Sequence, residues 1–312
     1  MKKLVCLVLA LLISLLSAFA VHAEETGTVN LTDAHAYETA TSLCFIEDTL
    51  YVLGSYGVYE YKDGELKTLV DLTDAYVYRY NQQRPEDAAG AAAWDRIIGY
   101  LFTDGKVLYG LHPYTGQIFK IEDGQLNACV QIPKNLLYAE EEEFFREIKG
   151  ITYAGEKLIL LLGTDTYDDY EKTEIVLIDL NDQKHQVSAI KNVQSIAAGA
   201  AGKLLVYVGA EQAAIWQYDI ATDTLEKMVE QIEDGIFPSG LAGYKQSVVY
   251  LEDSKVVLID ENGKDLVKAY MPIQYAHTST PSACSENGMY AYPYSNYVFL
   301  RDVGIEGEAK QT

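Results

Sequence analysis

The sequence has little positive charge. Its 312 residues include 24 Lys and Arg against 46 Asp and Glu, which gives a formal net charge of −22. A chain this acidic repels phosphate backbones and anionic lipid surfaces, so we expect no nucleic-acid partner and no binding to an anionic membrane. Hydrophobic residues make up 49% of the chain, a share that excludes an intrinsically disordered protein.

Cysteine is also scarce. Of the four cysteines, Cys6 lies in an apolar N-terminal segment, which leaves Cys44, Cys129 and Cys284. Three cysteines without zinc-site spacing do not form a disulfide framework, so we expect buried thiols that pack as small hydrophobic side chains. A single Cys44–Cys284 bridge stays open as an alternative, provided that the two ends of the chain meet.

Common catalytic motifs are missing from the sequence. There is no G-x-S-x-G, H-E-x-x-H, P-loop or G-x-G-x-x-G pattern, and beyond His22 the histidines are scattered along the chain at positions 35, 112, 185 and 277. We therefore expect no cofactor and interpret the protein as more consistent with a binding role than with an enzyme. A pair of carboxylates for glycoside cleavage remains open, because acidic residues occur throughout the chain.

Only the N-terminal segment contains a long apolar run. Lys2 and Lys3 precede an apolar stretch from Leu4 to Phe19, and Val21-His22-Ala23 places small residues where a signal peptidase would cleave. Residues 1–23 therefore predict a signal peptide, and the mature protein, beginning at Glu24, is expected to be secreted or extracytoplasmic. The alternative is an N-terminal membrane anchor. We expect no membrane insertion once the segment is cleaved.

What the mature chain does contain is a repeat of short apolar strands and tight turns. A strand–turn–strand pattern recurs at 58–72, 118–132, 175–190, 215–229, 256–270 and 298–304. A second such pattern precedes each copy, at 42–55, 97–111, 148–163, 195–209, 240–251 and 282–293. The dipeptides Asp63-Gly64, Asp123-Gly124 and Asn262-Gly263 are typical of type I′ hairpin turns.

Six units of four strands predict an all-β, six-bladed β-propeller over residues 24–304, followed by a short tail at 305–312. The last unit lacks one strand, so we expect Val29–Leu31 to pair with Tyr297–Arg301 and close the ring. Closure would place Cys44 and Cys284 on neighbouring inner strands. A two-sheet sandwich, or two smaller β domains, is the alternative architecture.

With its export signal and irregular repeats, the mature chain resembles secreted bacterial β-propellers. It also resembles the propeller region found ahead of solute-binding domains in some Gram-positive extracellular proteins. Repeated WD, kelch double-glycine, YWTD and aspartate-box signatures are missing, so the resemblance assigns no catalytic residues. The tail at 305–312 suits a junction to another domain. In that case the chain would be the propeller portion of a longer solute-binding protein.

The longest predicted loops lie on one face of the propeller, where function tends to be found. These loops cover 73–96 and 133–147, with shorter ones at 164–173, 233–239 and 272–281, and they are rich in aromatic rings and arginine. Such side chains stack on sugars or hold a peptide, although any one ring could instead pack onto the propeller. The candidate ligand-binding residues are Tyr78, Arg79, Tyr80, Arg84, Trp94, Tyr114, Tyr138, Arg146, Tyr167, Phe237, Tyr275 and His277.

Three functional hypotheses follow from these patterns. The first is a non-enzymatic binding propeller whose ligand is a carbohydrate, a peptide or a partner domain. The second is a secreted propeller enzyme, a lyase or glycoside hydrolase acting in the central depression, and the third is the solute-binding portion described above. Residues 164–171 contain four carboxylates, which we interpret as a solvated acidic loop; calcium is the alternative.

The export signal gives a direct prediction. When the full chain is produced in a secreting bacterial host, the protein recovered outside the cytoplasm should begin at Glu24, because the peptidase removes residues 1–23. Intact-mass measurement and N-terminal sequencing check this. An intact N-terminus in the membrane fraction would instead support the anchor.

Overall fold

The short apolar runs form antiparallel strands that assemble into a ring. The computed structural model describes residues 27–81, 87–137, 146–163, 173–209, 214–229, 239–252, 254–260, 265–271 and 281–304. These residues form six four-stranded sheets, and the innermost strand of every sheet lines one central cavity. The protein is therefore an all-β, six-bladed propeller as predicted, and the sandwich alternative is wrong.

Blades 1 to 3 occupy the first half of the chain. Their strands are β2 Ala40–Ile46, β3 Thr49–Gly54, β4 Gly57–Lys62, β5 Glu65–Asp71, β6 Tyr100–Thr103, β7 Leu108–Leu111, β8 Gln117–Glu122, β9 Gln125–Gln131, β10 Glu147–Ala154, β11 Lys157–Gly163, β12 Glu174–Ile178 and β13 His185–Val187. Within each blade the four strands pair in sequence order, so each blade is a simple meander.

Blades 4 to 6 repeat the meander, and blade 6 takes its outermost strand from the other end of the chain. Their strands are β14 Val193–Ala198, β15 Leu204–Val208, β16 Ala214–Asp219, β17 Thr224–Val229, β18 Ser239–Tyr244, β19 Ser247–Glu252, β20 Lys255–Ile259, β21 Asp265–Tyr270, β22 Ala283–Cys284, β23 Met289–Tyr294, β24 Tyr297–Asp302 and, completing blade 6, β1 Gly27–Asn30.

Tight hairpins connect strands within the blades. In Asp63-Gly64 the φ angles are 51° and 82°, and in Asp123-Gly124 they are 51° and 73°. Two consecutive positive φ angles define the type I′ turn, whose twist matches that of the strands it joins. These two predicted turns are confirmed, whereas Asn262-Gly263 lies outside the described residues.

Ring closure occurs where the sequence predicts it. Strand β1 pairs antiparallel with β24, with Val29 opposite Val298, and the next residue, Leu31, donates its backbone N–H to the Asn296 carbonyl at 2.9 Å. Val29 and Val298 are both buried, in a cluster that also contains Leu43 of blade 1. The closing strand therefore joins blade 6 to blade 1 through packing as well as through backbone hydrogen bonds.

Apolar packing between blades holds the rest of the ring. The buried hydrophobic side chains that the structure describes form six clusters, one between each pair of neighbouring blades. Hydrogen bonds cross some of these interfaces: the Leu101 backbone N–H donates to Ser42 Oγ at 3.0 Å, and the Tyr290 hydroxyl donates to the Gly240 carbonyl at 2.6 Å. Each blade thus depends on both of its neighbours.

The three described cysteines are free thiols, and of these only Cys44 is buried, whereas Cys129 is exposed. Cys44 and Cys284 lie on the neighbouring inner strands β2 and β22, as the predicted closure requires. Cys44 packs in the cluster between blades 1 and 2, however, whereas Cys284 packs against the cluster between blades 5 and 6. Because the two thiols are turned towards different blade interfaces, the structure contains no Cys44–Cys284 bridge.

Two of the loops predicted to be irregular contain helices. The segment 73–96 forms α1 (Thr73–Asn81) and α2 (Ala88–Trp94), and α3 (Lys134–Leu137) is a single turn; two 3-10 turns span Leu31–Asp33 and Ala200–Gly202. The second helix is rich in alanine, the strongest helix former, and the Asp87 side chain caps it by accepting the Gly90 N–H at 2.5 Å. No helix within the described part of the chain is long and apolar enough to cross a membrane.

Replacing a buried side chain of the closing strand should weaken the whole ring. Val29→Ala removes buried apolar surface at the junction of blades 6 and 1, so the free energy of unfolding should fall by about 1–3 kcal/mol. Urea denaturation followed by circular dichroism measures the change. Thr28→Ala, on the same strand but exposed, is the matched control and should leave stability nearly unchanged. Equal effects of the two substitutions would contradict the closing role of Val29.

Candidate functional site

The propeller has two unlike faces. One, which we call the hairpin face, contains the turns within strand pairs such as β4–β5. The other, which we call the loop face, contains the connections between blades and the turns between the second and third strands of each blade. Helices α1 and α2 lie on the loop face because they connect blade 1 to blade 2. The candidate residues that the structure describes also lie on this face.

Five rings on the loop face form a continuous series, which we call the aromatic row. His35 and Tyr56 are stacked with centroids 3.7 Å apart and planes 23° apart, and Tyr56 lies 4.2 Å from Tyr76. Tyr37 extends the row beyond His35, and Tyr80 extends it beyond Tyr76, each at 6.4 Å. Three separate segments contribute: the β1–β2 connection, the β3–β4 turn and α1.

The two ends of the row are exposed, whereas its middle is packed. Tyr37 and Tyr80 have relative exposures of 78% and 77%, and they are among the most exposed large hydrophobic side chains in the described residues. His35, Tyr56 and Tyr76 are half-buried. Solvent-exposed tyrosines mounted on a packed base are unusual for a purely structural cluster, since structural packing buries the ring faces.

A buried carboxylate lies beneath the row. Glu38 is 2% exposed; its side chain accepts the Tyr56 backbone N–H at 3.2 Å and the Thr39 backbone N–H at 3.0 Å. The buried Tyr59 hydroxyl donates to the same carboxylate. A Cβ at Gly54 would collide with this side chain, so a larger residue there would displace the carboxylate. Glu38 therefore fixes the backbone of Tyr56, which carries the central ring of the row.

The electrostatics beneath the row agree with this arrangement. Burial raises the pKa of Tyr59 well above its usual value, and the hydrogen bond to Glu38 raises it further. The Tyr59 hydroxyl therefore keeps its proton and remains a donor to the carboxylate. At the start of α1, hydrogen bonds from the Thr73 backbone and hydroxyl lower the pKa of Asp71, so the residue that caps this helix stays ionised.

A second group of rings, which we call the tryptophan cluster, lies above blade 2. Trp94 stacks on Tyr114 with centroids 5.5 Å apart, and His112 is 5.6 Å from Trp94. Trp94 and Tyr114 pack against the apolar cluster between blades 1 and 2, and His112 is 1% exposed. These rings attach α2 to the propeller and present less surface to solvent than the ends of the aromatic row.

His112 is held in the neutral state with both ring nitrogens engaged. Its Nδ1 accepts the backbone N–H groups of Tyr114 at 3.2 Å and Thr115 at 3.3 Å, so Nε2 carries the proton and donates to the Trp94 carbonyl at 3.1 Å. Burial lowers the pKa of His112 from 6.5 to about 4. With both nitrogens occupied by backbone groups, this histidine is a structural connector rather than a proton-transfer group.

The remaining sequence-predicted residues have different surroundings. Tyr78 and Arg79 are half-buried on α1, beside the row rather than in it. Arg146 forms an ion pair with Glu174, with Nη1 and Oε2 2.7 Å apart, which ties the start of β10 to the third strand of blade 3. Six predicted residues lie outside the described residues: Arg84, Tyr138, Tyr167, Phe237, Tyr275 and His277.

The central cavity has a volume of about 360 Å³. Its described wall is formed by the inner strands and exposes polar and apolar surface in similar amounts, with Tyr100, Glu147 and Lys149 near the loop face. Burial raises the pKa of Tyr100 to about 12, and its hydroxyl donates to the Ile148 carbonyl at 2.6 Å. Glu147 is the single carboxylate among the described residues that line the cavity, so they provide no carboxylate pair there.

Within the described ranges, no group of three His, Cys, Asp or Glu side chains is arranged to hold a metal ion. The acidic segment 164–171, for which calcium was the alternative, lies outside those ranges.

Of the five rings of the row, the candidate residues from the sequence include only Tyr80; Tyr76 lies in a predicted loop but is not among them, and the other three rings and the carboxylate beneath them were missed. His35, Tyr37 and Glu38 lie in the β1–β2 connection, which becomes a loop of the functional face only after ring closure. Tyr56 lies in the β3–β4 turn, and turns between the second and third strands of a blade always lie on the loop face. Applying that rule to short turns as well as to long loops would have found Tyr56.

Comparison with known proteins identifies the fold. No protein-family profile and no curated protein matches the sequence. A gluconolactonase of Xanthomonas campestris superposes with a TM-score of 0.56 and 12% sequence identity, covering 90% of this chain and 91% of that one. YCF48 bound to D1 peptide gives a TM-score of 0.50 at 12% identity, covering 90% of this chain and 98% of that one. These likenesses show the propeller fold alone.

His112 should make stability depend on pH. Its folded-state pKa lies below the unfolded value, so its contribution is complete above pH 6.5 and is lost as the pH falls through 6.5 towards 4. The loss should reach about 3 kcal/mol. Urea unfolding across this range measures it in the native protein and in His112→Asn, whose amide oxygen replaces the Nδ1 acceptor. Subtracting the stability–pH curve of His112→Asn from that of the native protein removes the contribution of the carboxylates and leaves that of His112. Parallel curves would show that His112 is not buried in its neutral form.

Proposed function

We propose that the protein is an extracytoplasmic, non-enzymatic binding propeller that holds its ligand on the aromatic row of the loop face. The observation that carries the proposal is the exposure of Tyr37 and Tyr80 at the two ends of a packed, hydrogen-bonded stack. Exposed aromatic side chains on a rigid base bind with a small loss of conformational entropy, because the side chains are already ordered before the ligand arrives.

The base of the row supports the proposal. The Tyr56 ring is stacked on His35 and tilted against Tyr76, and its backbone N–H is held by Glu38, whose carboxylate also accepts the Tyr59 hydroxyl. A buried carboxylate is costly unless its hydrogen bonds are satisfied, so a chain that needed only to cover blade 1 would do so more simply with an apolar side chain. The buried Glu38 is therefore better explained by a need to hold the Tyr56 ring in place than by stability alone.

An enzyme acting in the central cavity is the second candidate. The observation in its favour is the cavity of about 360 Å³ with Tyr100, Glu147 and Lys149 towards the loop face. A lyase or a glycoside hydrolase needs two groups with matched proton-transfer roles, and the described wall offers Glu147 as its only carboxylate. Turnover of a glycoside or a lactone that is lost in Glu147→Gln would favour this candidate.

The third candidate is the propeller portion of an extracellular solute-binding protein. It predicts that a coding sequence continues past Thr312 into a second domain, and the same aromatic row would then face either the solute or that domain. It differs from the first candidate in the partner rather than in the binding surface.

The binding surface can be tested by substituting the two exposed rings. Arrays of glycans and peptides are probed with the mature protein and with Tyr37→Ala and Tyr80→Ala. Each substitution should weaken the strongest interaction by about tenfold, because aromatic anchors carry much of the energy of an interface. Both side chains are exposed, so the urea midpoint should not change.

Leu225→Ala is the control for this experiment. Leu225 is 39% exposed and lies on β17 beside the hairpin face, so its loss removes a comparable exposed apolar side chain from the opposite side of the propeller. Binding that is unaffected by Tyr37→Ala and Tyr80→Ala, or equally affected by Leu225→Ala, would overturn the choice of the aromatic row.

A further inference from the structure

We infer that the ligand of the aromatic row is an uncharged carbohydrate chain, which stacks its sugar rings on Tyr37 and Tyr80 at the two ends of the row. This inference rests on the proposed function, since it names the class of ligand for the same surface. The spacing of the rings, the openness of the surface and the charges on the elements that carry the rings all favour such a ligand.

The spacing of the rings argues against peptide recognition. A proline-rich peptide docks into grooves between aromatic side chains, and an extended peptide adds to an exposed strand edge. Tyr56 is stacked on His35 at 3.7 Å and tilted against Tyr76 at 4.2 Å, and these centroid distances leave no room for a peptide between the rings. The row also lies on connections and a helix of the loop face rather than along a strand edge.

The same stacking argues against a cationic ligand. A cation is held best where several ring faces surround it and exclude water. The inner faces of the row are covered by one another, and the exposed rings of Tyr37 and Tyr80 lie at opposite ends. Each end therefore offers a separate flat platform. Flat platforms suit the apolar faces of sugar rings, which can stack on an aromatic ring without enclosure.

The openness of the surface indicates a chain rather than a single small molecule. The rings at the two ends of the row are open to solvent, since Tyr37 and Tyr80 are each more than three-quarters exposed. The four steps between ring centroids bound the distance from Tyr37 to Tyr80 at about 21 Å. An extended oligosaccharide of up to that length can contact both platforms and gain from binding two sites at once.

The charges along the row favour a neutral chain. The described elements that carry the rings also bear exposed carboxylates, with Asp33 before His35 and Asp74 in the first turn of α1. Arg96, which lies nearby, already donates to the Asp71 carbonyl at 2.5 Å. Carboxylates accept hydrogen bonds from sugar hydroxyls but repel anions, and the net charge of −22 adds to that repulsion.

Isothermal titration calorimetry with defined oligosaccharides tests the inference. The mature protein is titrated with cello-, malto- and manno-oligosaccharides, from disaccharides to hexasaccharides, with oligogalacturonates as the anionic counterpart and oligolysine as the cationic one. In at least one neutral series the affinity should rise with chain length and should exceed that for either charged probe. Tyr37→Ala and Tyr80→Ala should each lower the affinity for the hexasaccharide about tenfold, whereas Tyr80→Phe, which keeps the ring, should stay within about twofold.

The outcomes separate the inference from the proposal on which it rests. Binding of oligolysine or of an array peptide that depends on Tyr37 and Tyr80, without binding of any neutral oligosaccharide, would overturn the carbohydrate class and retain the binding surface. Affinity that does not change with chain length would overturn the two-platform arrangement. Binding to none of the probes or array ligands in a tyrosine-dependent manner would overturn both.

Discussion

Closure of the ring by the first strand is the constraint on which the candidate site depends. Once β1 pairs with β24, the chain must cross from the outer edge of blade 6 to the inner strand of blade 1. The crossing is held at both ends, because the Leu31 N–H donates to the Asn296 carbonyl at 2.9 Å and the Ala40 N–H donates to the Ser295 carbonyl at 2.8 Å. The residues between these two bonds include His35, Tyr37 and Glu38, which therefore reach blade 1 only in the closed ring.

Glu38 fixes this crossing to blade 1 and so supports the aromatic row. Removing a carboxylate from water is unfavourable unless donors replace the water, and here two backbone N–H groups and the Tyr59 hydroxyl do so. Those donors come from blade 1 and from the crossing itself, so the carboxylate joins the two. Tyr56 is fixed between His35 and Tyr76 as a result, and the exposed rings at the ends of the row are mounted on ordered neighbours.

The fold could be predicted from sequence because its signals are local. Alternating apolar residues and Asp-Gly turns define each hairpin within about fifteen residues, and the one missing strand of the sixth unit pointed to Val29 as its replacement. The alanines before Trp94 were a helix signal that the loop interpretation overlooked. The sequence predicted aromatic side chains in the loops of this face, but it did not distinguish Trp94 and Tyr114, which pack on the core, from Tyr80, which is exposed.

The aromatic row itself is non-local, which is why sequence patterns did not reveal it. Its rings come from three segments that no periodicity connects, and Glu38 is one of 46 acidic residues with no distinguishing neighbour in the sequence. What marks Glu38 is its burial beside Gly54, a feature that exists only after the chain has folded.

Residue-resolved hydrogen exchange in native conditions tests most directly whether the closing strand and the aromatic row open together as one cooperative unit. The Leu31 N–H reports the closing segment, and the Tyr56 N–H, which donates to Glu38, reports the row. The two amides should open with the same free energy, and Val29→Ala should lower the protection of both by the same amount. A Tyr56 amide that keeps its full protection while Leu31 exchanges faster would contradict the dependence of the row on ring closure.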